Sequence, residues 1–452
     1  MRPTLREIAA RLGHTRLLPD TPGWRACLDS RLVRPGDLFV ALPGERQDGH
    51  AFADAALQAG AAAVVAEGAR LPAALAADPR VLAVPDSAAA LLELGALARG
   101  RHQGPLAAIT GSNGKTSTKD LALHLLDGSR RAAGSRGNQN SVSGAPLSLL
   151  NELDGHEVYV MEAGMSRPGE IARLCEMARP THGLITNIQP AHLEGTGGLD
   201  EVAREKGSLF GWLAGHGGLG LVNEDDPLVA AQAAVLTRRS SWSLRQRRAG
   251  DAGMEAAGAD EQARFRFRLS GQELTLPVPG QAFLECAAAA TALALALGVE
   301  AKAIVARLAT FTGAPGRMSL RRGEGWTLLD DSYNANPASA RAALETLARM
   351  AARRRVAVLG EMKELGGQSA ALHREVGFCA AGLGLDLVFL VGADEARAAL
   401  GEGLRAGGRG ADGEAATARG LAAAFAPRAG DAVLLKGSRL VGLEELAREW
   451  LP

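Results

Sequence analysis

Apolar runs of four or five residues recur along the chain, separated by segments in which apolar positions return every three or four residues. The runs read as strands buried on both faces and the segments between them as amphipathic helices. The first group of strands falls at residues 38–42, 62–66 and 81–84. A second group falls at 106–110, 158–161, 184–187 and 218–222. Residues 264–269 and 273–278 then flank Ser270-Gly271, a hairpin signal, and helices follow at 283–297 and 301–309. The third group, at 326–330, 356–360, 387–391 and 432–435, alternates with helices at 338–350, 370–382, 395–404, 415–426 and 443–450. The Arg-rich stretch near 240–250 reads as a loop or excursion.

Strand–helix alternation of this kind predicts α/β architecture with mostly parallel sheets. A linker at 100–104 and the turn Thr312-Gly313-Ala314-Pro315-Gly316 divide the chain into three domains. These are a small α/β domain (1–100), a central P-loop ATPase-like α/β domain (101–312) and a Rossmann-like, doubly wound domain (313–452).

Composition narrows the function classes. Lys+Arg and Asp+Glu both number 50, so the overall balance points to neither nucleic acid nor an anionic membrane as partner. Cys27, Cys175, Cys286 and Cys379 are far apart, which reads as single buried thiols in a reducing compartment. Residues 1–12 are charged and helix-like, not a secretory signal. The most apolar stretch, 282–299, contains Glu285 and reads as a buried Ala-rich helix, not a membrane span. The expectation is a cytoplasmic protein, a monomer without stable membrane insertion.

Candidate chemistry sits at strand ends. Thr110-Gly111-Ser112-Asn113-Gly114-Lys115-Thr116-Ser117-Thr118 joins a strand to a helix through a glycine-rich turn. There, backbone N–H groups cradle phosphate, Lys115 reaches terminal phosphates and the Thr116 hydroxyl holds Mg²⁺. The usual G-x-x-x-x-G-K-[ST] pattern lacks its first glycine, because Ile109 stands there. Glu162 ends the next strand and reads as a Mg²⁺ ligand or a solvated carboxylate. Asn187 and His192, with Glu194 nearby, follow the third strand and fall on the same sheet edge. Lys206 lies in a helical stretch and reads locally as a surface lysine.

In the third domain Asp330-Asp331-Ser332-Tyr333-Asn334-Ala335-Asn336-Pro337 faces a sheet crevice or caps the next helix. Arg317, in the hinge before it, is a surface arginine or a cation for a transferring phosphoryl group. Lys436-Gly437-Ser438-Arg439 is an anion site or a basic turn. Two N-terminal clusters, Asp29-Ser30-Arg31 and the stretch from Pro43 through Gly44 and Asp48 to His50, are surface turns or ligand-holding loops.

In this order, and over essentially the whole chain, these motifs resemble the Mur ligase family, the ATP-dependent ligases that build the peptidoglycan precursor. The form Asp331-Ser332-Tyr333-Asn334-Ala335-Asn336-Pro337 is similar to the branch that adds D-Ala-D-Ala to UDP-MurNAc-tripeptide; the MurE branch carries a histidine-containing variant. Leu359-Gly360-Glu361-Met362-Lys363-Glu364-Leu365-Gly366 with His373, and Lys436-Gly437-Ser438-Arg439, agree with that branch.

The resemblance implies site residues by position. Gly111, Ser112, Asn113, Gly114, Lys115, Thr116, Ser117, Asn187, Arg317, Asp331, Tyr333 and Asn334 would bind ATP. Thr116, Glu162, His192 and Lys206, the last as a CO₂-derived carbamate, would hold two Mg²⁺ ions. Lys115, Glu162, His192, Lys206 and Arg317 form the implied catalytic set. Ser30, Arg31, Gly44, Asp48, Asn138 and Asn140 would bind the UDP-sugar, and Asn336, Lys436 and Ser438 the dipeptide acceptor. The implied reaction is amide formation through an acyl phosphate, the last step to UDP-MurNAc-pentapeptide.

Three positions depart from the family pattern. Ala282, Phe283 and Cys286 replace His, Asn and Asn in a segment that usually contacts adenine. Ser141 stands where a further Asn is common, and Gln47 where an aromatic is frequent. The alternatives are a MurE-type or folylpolyglutamate synthase-like ligase, and a nucleotide-binding module without ligase activity.

Overall fold

The computed structural model describes residues 2–451 except 16–17, 19–22, 45–46, 190–197 and 246–252. His192 and Glu194 lie outside the described residues, as does most of the Arg-rich stretch.

The first sheet is parallel, in the order β1 (Ala26–Cys27), β2 (Leu38–Val40), β3 (Ala63–Glu67), β4 (Val81–Val84). Alternate residues serve opposite cores. Leu38, Val40 and Val65 pack with Leu5, Leu91 and Leu94, whereas Phe39 and Val64 pack with Leu57. Burial on both faces is what makes these strands continuous apolar runs. The helix Ser87–Arg101 runs into the first two residues of the expected linker, and residues 102–105 connect it to the next strand. Asn151 of the helix Gly144–Glu152 then clamps the edge strand β1: it accepts from the Ala26 N–H at 2.8 Å and donates to the Ala26 carbonyl at 2.9 Å.

The second sheet comprises β5 (Leu106–Thr110), β6 (Ala132–Gly134), β7 (Val158–Glu162), β8 (His182–Ile185), β9 (Leu219–Asn223) and β10 (Arg239–Trp242). Its order is β10-β9-β8-β5-β7-β6, all parallel. The start of the Arg-rich stretch is therefore strand β10, not loop; Arg-Ser-Ser-Trp carries no apolar run because an edge strand needs little burial. A separate antiparallel sheet follows: β11 (Met254–Ala259), β12 (Phe265–Leu269) and β13 (Gln272–Thr275). Its hairpin turns at Ser270 (φ +50°) and Gly271 (φ +79°), the left-handed pair a tight two-residue turn requires. The Ala-rich helix Gln281–Ala296 packs inside this region, with Leu284, Ala287 and Leu293 buried. Among the described residues no helix is long and apolar enough to cross a membrane.

The third sheet holds β14 (Ser319–Arg322), β15 (Thr327–Asp331), β16 (Arg354–Gly360), β17 (Leu387–Val391), β18 (Gly413–Ala415) and β19 (Asp431–Lys436), ordered β14-β15-β19-β16-β17-β18. Only β14 runs antiparallel. The helix expected at 415–426 is shorter: 413–415 is edge strand, and Thr417 starts a helix over Ala418–Ala424 by accepting the Gly420 N–H. Three cysteines are buried as expected, but Cys379 is half-buried.

Candidate active site

The C-terminal ends of β5, β7 and β8 share one edge, and the sequence between β5 and the helix Lys115–Leu126 is shaped by contacts along it. Gly111 has φ +149°, and a Cβ there would fall 1.8 Å from Thr186 Oγ1. Gly114, at φ +79°, starts the helix; its missing Cβ leaves room for Cys286 Sγ. Asn113 is bonded through all its polar atoms. Its N–H donates to Asn187 Oδ1 (2.9 Å) and its Nδ2 to Gln189 Oε1 (2.8 Å). Its carbonyl accepts from Thr186 Oγ1 (2.6 Å). Its Oδ1 accepts from Asn336 Nδ2 of the third domain (2.6 Å). Ser112 Oγ donates to the Gln189 carbonyl and accepts the Gln189 N–H. Asn187 thus shapes the loop. The first-turn N–H groups of the following helix have no partner within the helix, so the turn is built to receive an anion.

Thr116 and Glu162 meet here. Thr116 Oγ1 donates to Glu162 Oε2 at 2.8 Å, Asn140 Nδ2 donates to Oε1 at 2.7 Å, and the Glu162 N–H donates to Ser135 Oγ at 3.0 Å. The Glu162 carboxylate and the Thr116 hydroxyl offer hard oxygen donors that suit Mg²⁺, with Asn140 orienting the carboxylate. Lys115 Nζ donates to the carbonyls of Gly111 (2.7 Å) and Ser112 (3.4 Å). Burial lowers its pKa; Glu162 and Glu364 oppose that shift and Arg317 adds to it.

Lys206 is not on the surface. In the helix Leu199–Gly215 it is 1% exposed, and its pKa lies well below the ordinary lysine value. Burial is the main cause and the positive charge of Lys115 the second, against an opposing pull from Glu205. Local pattern does not reveal this, because a lysine on a polar helix reads as solvated. Glu205 was also invisible in the sequence: its carboxylate accepts the N–H groups of Gly169 (2.7 Å) and Ile171 (2.8 Å), capping the helix Glu170–Ala178.

The third domain closes the other side. Arg317 lies over the Tyr333 ring at 4.0 Å. Asp331 accepts from the Met318 N–H (3.1 Å) and from Lys436 Nζ (2.5 Å), and Lys436 also reaches the Asn334 carbonyl (2.9 Å). Asn336 caps the helix Pro337–Arg349 while reaching Asn113. A cavity of about 570 Å³ results, lined by Ser112–Thr118, Asn138, Asn140, Glu162, Asn187, Arg317, Asp331, Tyr333, Asn334, Asn336 and Lys436. Ala282, Phe283 and Cys286 also line it, and Phe283 stacks on Phe311 (5.7 Å between centroids).

Other expected residues lie elsewhere. Ser438 is buried with Oγ unpartnered and does not line this cavity. Neither do Ser30, Arg31, Gly44 and Asp48, whose turns are internally paired. Arg31 bonds Asp29 at 2.7 Å, Asp48 accepts from His50 at 2.6 Å and Arg70 at 3.0 Å, and a Cβ on Gly44 would lie 2.5 Å from the Gln47 carbonyl. Asn138 and Asn140 line the cavity, where Asn140 donates to Glu162.

His102, His182 and His373 are held below the ordinary imidazole pKa, chiefly by burial. Unfolded, each takes up a proton below about pH 6.5; folded, each resists it. The unfolded state then binds more protons, so stability rises with pH across that window and is lost on acidification. Thermal unfolding is expected at lower temperature at pH 5.5 than at pH 7.5. Replacing His373 by glutamine should reduce that difference.

Three family models match the chain: "Mur ligase family, catalytic domain" over residues 27–99, "Mur ligase middle domain" over 109–294, and "Mur ligase, glutamate ligase domain" over 316–439. A UDP-N-acetylmuramoyl-tripeptide–D-alanyl-D-alanine ligase of Escherichia coli K12 is 35% identical over 93% of this chain and 92% of its own length. The ligase of the same name from Mycobacterium bovis is 36% identical over 93% and 90%. Among solved structures, MurF from Acinetobacter baumannii aligns with a TM-score of 0.84 and 29% identity over 100% and 99% of the two chains. MurF from Thermotoga maritima in complex with ADP aligns with a TM-score of 0.79 and 30% identity over 95% and 97%.

Proposed function

The chain belongs to the Mur ligase family, and from that premise we propose how its cavity works. It is an ATP-dependent ligase that joins D-Ala-D-Ala to UDP-MurNAc-tripeptide in peptidoglycan synthesis. The observation that carries the mechanism is the 2.6 Å bond from Asn336 to Asn113, which brings the segment 331–336 onto the phosphate loop.

ATP lies with its phosphates on the first turn of the helix Lys115–Leu126, which Gly111 to Ser117 shape. Lys115 exchanges the carbonyls of Gly111 and Ser112 for phosphate oxygens. Arg317, with Asp331, Tyr333 and Asn334, closes over the nucleotide from the third domain. When bound, Mg²⁺ neutralises the phosphate oxygens as charge moves toward ADP. Thr116 and Glu162 would hold it, and His192 and a carbamate on Lys206 would serve a second ion. Burial lowers the Lys206 pKa and so favours the uncharged amine, the form to which CO₂ adds, and the product is an anion.

The tripeptide's terminal carboxylate attacks the γ-phosphorus; a P–O bond forms, the bond to the bridging oxygen breaks, and ADP leaves. The acceptor nitrogen then attacks the acyl carbon, and the C–O bond to phosphate breaks. Positioning and charge neutralisation supply the rate. We assign the UDP-sugar to domain 1–100 (Ser30, Arg31, Gly44, Asp48) with Asn138 and Asn140 at the cavity. ATP belongs to 101–312 and the dipeptide to 313–452 near Asn336, Lys436 and Ser438. The apolar wall of Ala282, Phe283 and Cys286 takes the place of the family's polar base contacts. The enzyme works as a cytoplasmic monomer on small substrates, without nucleic acid.

ADP release measured with each candidate acceptor tests this. Turnover is expected only with UDP-MurNAc-tripeptide and D-Ala-D-Ala together. ATP binding without acceptor-dependent turnover would overturn it, and turnover with a free diamino acid on a dipeptide precursor would move the chain to the MurE branch.

A further inference from the structure

Lys119 has no task in this scheme, yet it is buried, with 3% of its surface exposed. It lies one turn beyond Lys115 on the same side of the helix Lys115–Leu126. A leucine or methionine would fill that space without desolvating an amine, so a lysine there needs polar partners to offset its burial. It has them. Lys119 Nζ donates to the Ser135 carbonyl at 2.6 Å and lies 3.5 Å from the Gly137 carbonyl and 3.0 Å from Asp120 Oδ1. Ser135 and Gly137 belong to the loop that joins β6 to the helix Gly144–Glu152, and residues 136–138 of that loop are exposed.

The two ends of this loop are pinned to β7 and to the residues just after it. The Ser135 N–H donates to the Val160 carbonyl at 3.1 Å, and Ser135 Oγ accepts the Glu162 N–H at 3.0 Å. Asn140 Nδ2 donates to Glu162 at 2.7 Å, and the Asn140 carbonyl accepts the Gly164 N–H at 2.8 Å. A Cβ on Gly164 would lie 2.8 Å from Asn140 Cγ, so the fit is close. The Asn140 N–H donates to the Asn138 carbonyl at 2.8 Å, and both asparagines line the cavity. One helix thus grips the phosphate turn through Lys115 and this loop through Lys119.

We propose that Lys119 is a positioning residue for the UDP-linked substrate: it fixes the loop 135–140 to the phosphate-loop helix, so that Asn138 and Asn140 stand where that substrate binds. This rests on the ligase reading above and on its assignment of the two asparagines. The phosphate turn has separate supports in Thr186, Asn187, Gln189 and Asn336. Loss of the Lys119 donors therefore weakens one substrate and spares the other.

Lys119→Met keeps the length and removes the donors; Lys119→Arg keeps donors. In Lys119→Met the KM for UDP-MurNAc-tripeptide is expected to rise about tenfold or more. The kcat, and ADP affinity measured without Mg²⁺, should stay within about threefold of the parent. Lys119→Arg should return the KM to within about threefold of the parent. Adding Asn138→Ala to Lys119→Met should raise the KM by no more than about a further twofold, because both act through one loop. If Lys119→Met does not fold, Lys119→Gln is read in the same way. Parental KM in the folded variant overturns the proposal. So does an equal loss of affinity for ADP and for the UDP-linked substrate, which would mark a residue of the fold alone, and so does full additivity with Asn138→Ala. Parental KM in both Asn138→Ala and Asn140→Ala defeats instead the assignment of these asparagines to the UDP-sugar.

Discussion

Lys206→Met gives a folded and inactive enzyme. Lys206 is 1% exposed, and burial, aided by repulsion from Lys115, holds its pKa well below the ordinary lysine value. Between the depressed folded value and the ordinary one, the unfolded chain binds the proton and the folded chain does not, so folding releases it. Stability therefore rises with pH between the depressed folded value and the ordinary one near 10.4. Methionine has similar length and no charge to bury, so the variant unfolds at no lower temperature than the parent and loses that pH slope. Activity is expected to fall by about 10³-fold or more, because the proposed carbamate, an anion beside the phosphates, can no longer form. Lys206→Ala loses activity too but leaves room, and short carboxylic acids restore part of it by placing a carboxylate where the carbamate would stand. Full activity in either unaided variant rules the carbamate out.

Gly111→Ala disables the phosphate loop. A Cβ at Gly111 lies 1.8 Å from Thr186 Oγ1 and 3.1 Å from the Thr186 backbone nitrogen, on a residue at φ +149°. Thr186 cannot move aside freely, since its hydroxyl donates to the Asn113 carbonyl at 2.6 Å. Asn113 in turn is tied to Asn187, Gln189 and Asn336. Relief of the clash must therefore pull on both domains. The expected loss is about 2–4 kcal/mol of stability, with ATP affinity reduced at least about tenfold. Equilibrium unfolding and nucleotide titration measure both. Thr186→Ala removes the clashing oxygen but leaves the backbone contact, so the double variant should be less impaired than the sum of the singles. A Gly111→Ala protein with parental stability and ATP affinity would show that the loop is free to relax.

How far the sequence could be read depended on burial. Strands β5, β7, β16 and β19 are buried on both faces, and each stood out as an apolar run. Edge strands did not. Ala132–Gly134, Ser319–Arg322 and Gly413–Ala415 carry small or polar residues because one side faces no neighbour, so neither alternation nor hydrophobicity marks them. The hairpin at Ser270-Gly271 was legible because left-handed backbone demands particular residues.

The site divides along the same line. Gly111, Gly114, Lys115, Thr116 and Glu162 could be found from the order strand, glycine turn, helix, since local geometry alone puts them at one sheet edge. Lys206 could not: its burial and depressed pKa come from atoms on other elements, and its own helix reads as polar. The same holds for Glu205 against Gly169 and for Asn336 against Asn113. Backbone conformation and side-chain periodicity are local and are written in neighbouring residues. Desolvation, charge and contact between domains are sums over groups distant along the chain, and folding alone brings those groups together.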